Sequence, residues 1–545
     1  MAVREPEGRT APPGPSAAPA DSGTPLRPHR RRPVDRPVLV VSLAAVLVLL
    51  VLGVVVPEQL TSATTSLIAG ITEDVGWAFV MGATGFVVFA LVLAFSRVGR
   101  IRLGRDDERP EHSRASWIAM MFSAGMGIGL MFYGVTEPAT HLMTPPEAGV
   151  EPGSDAAAAM SMNYSLFHWG LHPWAIYAVV GLALAYSSYR KGREGGFSAA
   201  FAPLLRGRRA KGAARAIDVL AIFATIFGSA VSLGLGAAQM NGGLTQLFGT
   251  STGPGVQITI IVVLTLCFVV SAISGIERGV KWLSNTNMVL ALALLFFLFV
   301  VGPTVYILDL IPNAAGDYLA ALPGMSVRTG AFGGGDWLSG WTIFYWAWWI
   351  SWTPFVGAFL AKISRGRTIR EFVVGVMLVP TLVSLVWFGV FGGTAMNLQM
   401  SGALDVLGQG AQESQMFAVL QQYPIATVTS AVVVLLVAIF FVSGADAASI
   451  VMASLCSFGE DEPRRWLIAL WGLLTGAVAV VLLQAGGLQG LQNVTILAAT
   501  PFLVVMVALC VAIVRDLRTE PSLELVRLDP GQRVVTLPDT EDARR

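Results

Sequence analysis

Four tryptophans, Trp346, Trp348, Trp349 and Trp352, crowd into two turns of an apolar stretch that ends in Thr353 and Pro354. Tryptophans of membrane helices usually gather at the two lipid–water interfaces. Here they stand together within a stretch long enough to cross a bilayer. Trp349 and Trp352 are three residues apart, Trp348 and Trp352 four, so these pairs share a helical face. Indole faces grouped at membrane depth can cage a cation, and quaternary ammonium groups are the usual guests. The other reading is that the rings fill a helix interface. From this stretch alone both readings stand.

A second aromatic group is His168-Trp-Gly-Leu-His-Pro-Trp-Ala-Ile-Tyr177, which adds Trp169, Trp174 and Tyr177. His168 and His172 have a spacing seen among zinc ligands. A proline follows His172 and no third ligand type clusters nearby in sequence, so metal binding is the lesser reading. Ser123-Ala-Gly-Met-Gly-Ile-Gly129 places Gly125, Gly127 and Gly129 at alternate positions. Each glycine weakens a helix by about 1 kcal/mol relative to alanine, so the run predicts a broken helix. Unwound backbone at membrane depth is tolerated where protein or a water-filled cavity surrounds it. Half-helix ends then offer amides and carbonyls to ions. Close helix packing through small residues is the alternative. A dinucleotide-binding reading fails, because no strand precedes the glycines.

Thr225 and Ser229 share one helical face, and their hydroxyls suit a small cation; back-bonding to their own helix carbonyls is the commoner use. Asp446, an acid in an apolar run, is a functional candidate, with an ion pair or a helix-end contact as the plainer role. Cys267, Cys456 and Cys510 all sit in apolar runs, without disulfide or metal-site spacing, and read as small buried hydrophobes.

These residues must be positioned by membrane helices. Of 545 residues, 54% are hydrophobic and 13% charged, and the mean hydropathy is +0.66. That composition defines an all-α integral membrane protein. Spans of roughly 20 apolar residues begin near Val38, Val75, Ser116, His172, Ala216, Val256, Asn287, Trp337, Phe372, Ile425, Trp466 and Leu491, twelve in all. Lys and Arg collect in alternate loops: Arg100 to Arg114, Arg190 to Lys211, Arg278 and Lys281, Lys362 to Arg370, Arg464 and Arg465. The other loops hold Arg328. The positive-inside rule therefore expects both termini in the cytoplasm of a plasma-membrane protein. Residues 1–36, rich in Pro, Ala, Gly and Arg, read as a disordered basic tail. Residues 37–515 hold the apolar spans and 516–545 a short mixed-charge tail. The stretch 310–335 has room for an amphipathic surface helix.

Gly125-Met-Gly-Ile-Gly-Leu-Met-Phe-Tyr-Gly-Val-Thr-Glu-Pro138 and Phe344-Tyr-Trp-Ala-Trp-Trp-Ile-Ser-Trp-Thr-Pro354 resemble the two signatures of the betaine/choline/carnitine transporter family. Ile363-Ser-Arg-Gly-Arg-Thr-Ile-Arg370 fits as well. The resemblance spans about Val38 to Arg515. It implies twelve transmembrane helices: two N-terminal ones followed by two inverted five-helix repeats, as in sodium/neurotransmitter symporters. The broken third helix and the Trp-rich eighth helix would open the two repeats. It also implies a homotrimer. By resemblance, the substrate box maps to Trp169, Trp174, Tyr177, Trp349 and Trp352, with Trp348 adjacent, and Trp352 central. The glycine stretch maps to Gly125, Gly127 and Gly129, with Met126 offering backbone.

Gly129 bears on the substrate. Choline-type relatives carry an aspartate there, whose charge balances a bare cation. Glycine suits a zwitterion that brings its own carboxylate, so the chain resembles the glycine-betaine branch; ectoine, proline, carnitine and sulfonium zwitterions stay open. Sodium, the expected co-transported ion, maps by resemblance to Thr225, Ser229 and Phe355 at one site. At the other it maps to Ser123, Met126, Phe440, Ser443 and Gly444. Sodium-coupled relatives have a serine in place of Gly444, so the second set lacks a hydroxyl. Proton coupling through Asp446 or Glu137, or exchange of choline, carnitine or ectoine, is the runner-up. A membrane sensor without net transport is the reading from another class. No nucleophile with a positioned base marks an enzyme, and neither an organic cofactor nor a nucleic-acid partner is expected.

Overall fold

In hydrocarbon every backbone N–H and C=O must find its partner inside the chain, which favours helices. The computed structural model describes residues 32–125, 127–274, 277–460 and 462–520. Among these it contains helices and no strand. In chain order they are α1 (Arg36–Val55), α2 (Pro57–Phe95), α3 (Arg114–Gly125), α4 (Ile128–Met143), α5 (Asp155–Trp169), α6 (Leu171–Ala185), α7 (Ala210–Phe248), α8 (Pro254–Ser274) and α9 (Glu277–Val301). Then follow α10 (Thr304–Ser326), the single turn α11 (Gly335–Leu338), α12 (Phe344–Ile363), α13 (Ile369–Trp387), α14 (Gly393–Met400), α15 (Gln412–Leu420), α16 (Ala426–Leu455) and α17 (Arg465–Leu517).

Seven helical stretches are long and apolar enough to cross a bilayer. They are α1, α2, α5 with α6, α7, α13 with α14, α16 and α17. An eighth is counted if α9 and α10 are one span, but the pair bends by 112° at its break. The span expected to begin near His172 starts earlier, at Asp155, and breaks at Gly170. The spans expected from Trp466 and Leu491 are the two arms of α17, divided by a kink at Gly487 (φ 60°, ψ −152°). That left-handed backbone favours glycine. The room for a surface helix in 310–335 is taken by the end of α10, bent away from α9.

The Trp-rich helix α12 is enclosed: Tyr345, Trp346 and Ala347 are fully buried. A helix apolar all round belongs inside a bundle. Small residues let its neighbours close in. A side chain on Gly181 of α6 would meet the Gly357 carbonyl oxygen of α12 at 3.3 Å and Leu360 Cβ at 3.2 Å, the close helix approach that membrane proteins use in place of a hydrophobic drive.

The basic segment 363–370 is a clasp. Leu103 N–H donates to Arg367 O and Gly366 N–H to Leu103 O, both at 2.8 Å, and Ile369 N–H donates to Ile101 O at 2.9 Å. The Arg367 guanidinium lies 4.0 Å from the Trp117 ring centroid and donates to the His112 carbonyl at 2.9 Å. Trp117 Nε1 donates to Ser364 Oγ at 3.0 Å. Thr368 and Glu371 form a capping box at the start of α13. A second clasp holds the end of α17. Glu520 accepts from Arg190 Nε at 2.9 Å, Tyr186 OH at 2.5 Å and Lys191 Nζ at 3.0 Å, and Arg193 forks onto Asp516. Burial alone would raise the Glu520 carboxyl, but hydrogen bonds from Arg190, Tyr186 and Lys191 outweigh it and hold it at about 2.

Two outcomes follow from the clasps. Arg367→Ala should lower thermal stability in detergent by about 2 kcal/mol, and Arg367→Lys should not restore it, because the stacked fork is lost. A carboxyl depressed from about 4.3 to about 2 stabilises above its ordinary value and stops doing so as pH falls through the folded one. Glu520→Gln should therefore remove the part of the acid-induced loss of stability that falls in that window, read by thermal melts across pH.

Candidate functional site

The glycine run does break its helix. α3 ends at Gly125, α4 begins at Ile128, and Gly127 between them is extended. Met126 lies outside the described residues, as do the side chains of Ser123 and Gly125, so their expected roles are left as sequence expectations. A side chain on Gly127 would meet nothing within 4 Å. Gly129 is the opposite case. A Cβ there would lie 2.6 Å from Trp169 Cη2 and 2.9 Å from Trp348 Cη2. The rings press on the backbone, and any side chain at 129 must displace them. An aspartate at this position does not fit this arrangement.

The aromatic residues of the two sequence clusters meet. Trp169 packs edge to face on Trp349, with centroids 4.9 Å apart, and on Trp348 at 6.2 Å. Trp348 and Trp349 stack at 5.3 Å. Tyr177 abuts Trp349 at 5.9 Å and Trp174 at 5.5 Å. Trp352 lies 6.1 Å from Trp348 and 5.0 Å from Phe355. Tyr133, Phe344 and Tyr345 complete the group. Polar edges fix several rings: Trp349 Nε1 donates to His168 O at 2.9 Å and Trp348 Nε1 to Gly228 O at 3.4 Å. Trp352 Nε1 and the buried Tyr177 hydroxyl have no hydrogen-bond partner among the described residues.

Beneath this group sits Glu137. It is fully buried on α4, and its two oxygens take four groups. Oε1 meets His168 Nδ1 at 2.7 Å and lies 3.4 Å from His141 Nε2. Oε2 accepts Trp169 Nε1 at 2.8 Å and Tyr345 OH at 2.5 Å. His168 Nε2 contacts Thr342 Oγ1 at 2.9 Å. The sequence places no third ligand near His168, and this is where the structure differs. His172 turns away, against Trp346, Thr84 and Ser326. Glu137, His141 and His168 bring donor atoms within 4.8 Å of one another. Because both carboxylate oxygens are engaged by protein donors, the group is a hydrogen-bond hub. The available signal was the i, i+4 spacing of Glu137 and His141.

A cavity of about 1120 Å³ runs from the helix break to a charged mouth. Gly127, Ile128, Ser229, Trp352, Phe355, Phe440, Ser443 and Gly444 line its inner part; Arg193, Lys362 and Arg365 stand at the mouth. Of the expected box, Trp352 lines this cavity, while Trp169, Trp174, Tyr177, Trp348 and Trp349 are buried behind it. The expected cation ligands separate into types. Ser229 Oγ is buried and unpartnered among the described residues. Thr225 Oγ1 donates to Ala221 O at 2.8 Å, and Ser443 Oγ to Ile439 O at 2.9 Å, the back-bonding role, which leaves their lone pairs free. Gly444 faces open space. Asp446 is half-buried, off the cavity lining, and without a hydrogen bond or ion pair among the described residues.

An all-helical bundle with seven apolar stretches long enough to cross a bilayer, a broken helix and a deep cavity beside an aromatic cluster is the architecture of a multi-pass membrane protein. The profile of the family described as "BCCT, betaine/carnitine/choline family transporter" matches residues 37–522. The chain is 44% identical over 485 residues to the glycine betaine transporter OpuD of Bacillus subtilis, covering 89% of this chain and 94% of that protein. It is 40% identical to the betaine/ectoine transporter LcoP of Corynebacterium glutamicum, covering 90% and 79%. It is 39% identical to the ectoine/hydroxyectoine transporter of Virgibacillus pantothenticus, covering 89% and 97%. The chain belongs to the betaine/carnitine/choline transporter family.

The two glycines should respond differently to substitution. Gly129→Ala forces Trp169 and Trp348 apart and should lower solute affinity at least tenfold in a binding titration. Gly444→Ser adds a hydroxyl where space is open, so it should leave thermal stability within about 0.5 kcal/mol.

Proposed function

We propose that this chain imports a quaternary-ammonium zwitterion, glycine betaine first among them, by sodium symport with alternating access, as a compatible-solute transporter. The observation that carries the reading is the cavity on which Trp352, Ser229, Phe355, Phe440, Ser443 and Gly444 converge beside the broken helix. A methylated ammonium has no N–H to donate, so an aromatic face is its natural partner, worth about 2 kcal/mol per desolvated contact. Several such contacts approach the roughly 8 kcal/mol of micromolar binding. The carboxylate end would be received by backbone amides freed at the helix break around Gly127. The clash that a side chain at 129 makes with Trp169 and Trp348 argues for a substrate that carries its own anion.

Ser229, buried without a hydrogen-bond partner among the described residues, supports one sodium in the set Thr225, Ser229 and Phe355. The second set, Ser123, Met126, Phe440, Ser443 and Gly444, retains Ser443 and is a hydroxyl short. A zwitterion has no net charge, so voltage drives it through its ions. Each sodium contributes about 2.3 kcal/mol per 100 mV, roughly fifty-fold accumulation. Proton coupling has less support: Glu137 is enclosed with both oxygens engaged, and Asp446 lies off the cavity lining. Ectoine is the second solute, in line with the ectoine transporters among the relatives. The working topology is twelve helices with two inverted repeats, both termini and the cavity mouth cytoplasmic, in a plasma-membrane homotrimer.

Labelled glycine betaine uptake into proteoliposomes should rise with an inward sodium gradient and fall at least tenfold in Trp352→Ala. Uptake that follows a pH gradient and ignores sodium would replace the ion. Absence of uptake in both gradients would reject betaine and move the assay to ectoine.

A further inference from the structure

The geometry points to Glu137 as the positioning residue of the cation box, acting through Trp169 and Tyr345. The inference rests on the proposed aromatic recognition and goes beyond it, because Glu137 lies outside the cavity lining and is not a contact residue for solute. A lone carboxylate buried in a membrane bundle is costly unless its lone pairs are taken up. Here Oε2 accepts the Trp169 indole N–H at 2.8 Å and the Tyr345 hydroxyl at 2.5 Å. Oε1 faces His168 Nδ1 at 2.7 Å, and His168 in turn offers its backbone carbonyl to Trp349 Nε1. One carboxylate thus holds two of the rings directly, one from each of two helices. Tyr345 sits beside both Trp348 and Trp349, at 6.2 Å from each.

The same bonds have an electronic effect. Cation–π attraction follows the electron density of the ring face. An indole N–H or a phenol O–H donated to a carboxylate polarises toward it and enriches its own ring, and the effect is strong in a dry interior. The consequence for an ammonium guest passes through Trp352: the rings that Glu137 enriches and holds in register back Trp348, which lies 6.1 Å from Trp352, the ring of the box that borders the cavity. A glutamine of the same shape keeps one acceptor oxygen and loses the charge.

The test is a double-mutant cycle in proteoliposomes, with Glu137→Gln, Glu137→Asp, Trp169→Phe and the Glu137→Gln/Trp169→Phe pair. The solute is whichever of glycine betaine and ectoine the wild type takes up. Glu137→Gln should raise KM on the order of tenfold, by more than it changes Vmax. The increase should shrink to about two-fold in the Trp169→Phe background, since the pathway through the indole is already gone. Glu137→Asp, charged but shorter, should recover part of the affinity. Tryptophan emission of the purified protein gives a reading that needs no transport: Glu137→Gln should shift it, and the shift should vanish in the Trp169→Phe background. Equal KM effects in both backgrounds, together with an emission shift that survives Trp169→Phe, would overturn the proposal. Loss of Vmax and of pH-driven uptake at constant KM would also overturn it, in favour of a proton carrier. Failure of the wild type to take up either solute would reject the functional reading; the emission cycle would still decide the role of Glu137.

Discussion

A buried carboxylate can persist in a membrane bundle when donors converge on it, and Glu137 gathers donors from two neighbouring helices. His168 and Trp169 come from α5 and Tyr345 from α12, while His141 of its own helix α4 lies 3.4 Å away. Desolvating such a group costs several kcal/mol, so the surrounding helices are committed to the positions that satisfy it. Those positions bring Trp169 against Trp348 and Trp349, and they lay the ring edges on the bare backbone at Gly129. The aromatic cluster is thereby a consequence of electrostatic satisfaction as much as of packing.

The local rules of helix formation are broken where the site is built. Glycines part α3 from α4 at Gly127, a proline stands inside α4 at Pro138, and Ser229 keeps a buried hydroxyl without a partner among the described residues. Regular helices surround these departures and hold them. The Arg367–Trp117 clasp and the Glu520 clasp tie loops far apart in the chain, on the same face as the cavity mouth. The clasps tie the helices at that face, while the helix break leaves open space around Gly127, as there is around Gly444.

Under the proposed function, substrate and ion recognition would divide along the cavity. Aromatic faces suit a cation that cannot donate a hydrogen bond, while hydroxyls and carbonyls suit a small hard cation. Trp352 sits where both meet, with Phe355 on its own helix and Ser229 on α7. Solute and ion would then share walls, which is a physical basis for coupling: occupancy of one subsite orders side chains that the other also uses.

Much of this was legible in the chain. Composition and the alternation of Lys and Arg between loops established a multi-span membrane protein. Three alternate glycines announced the helix break, and the spacing of Trp348, Trp349 and Trp352 announced a shared aromatic face. These are local or periodic signals, carried by residues that are neighbours along one helix. What tertiary structure alone decided is which of them meet a cavity and which lie behind it. Periodicity shows that Trp349 and Trp352 share a face. It does not show that Trp352 borders space while Trp349 is covered by Trp169. Thr225 and Ser229 looked equivalent; one back-bonds and the other does not, because their surroundings differ. Glu137 was one carboxyl in an apolar run until its partners, from residues 31 to 208 positions away, were in place. A contact between distant residues leaves no mark in the spacing of either, and in a buried site such contacts determine what each polar atom is free to do.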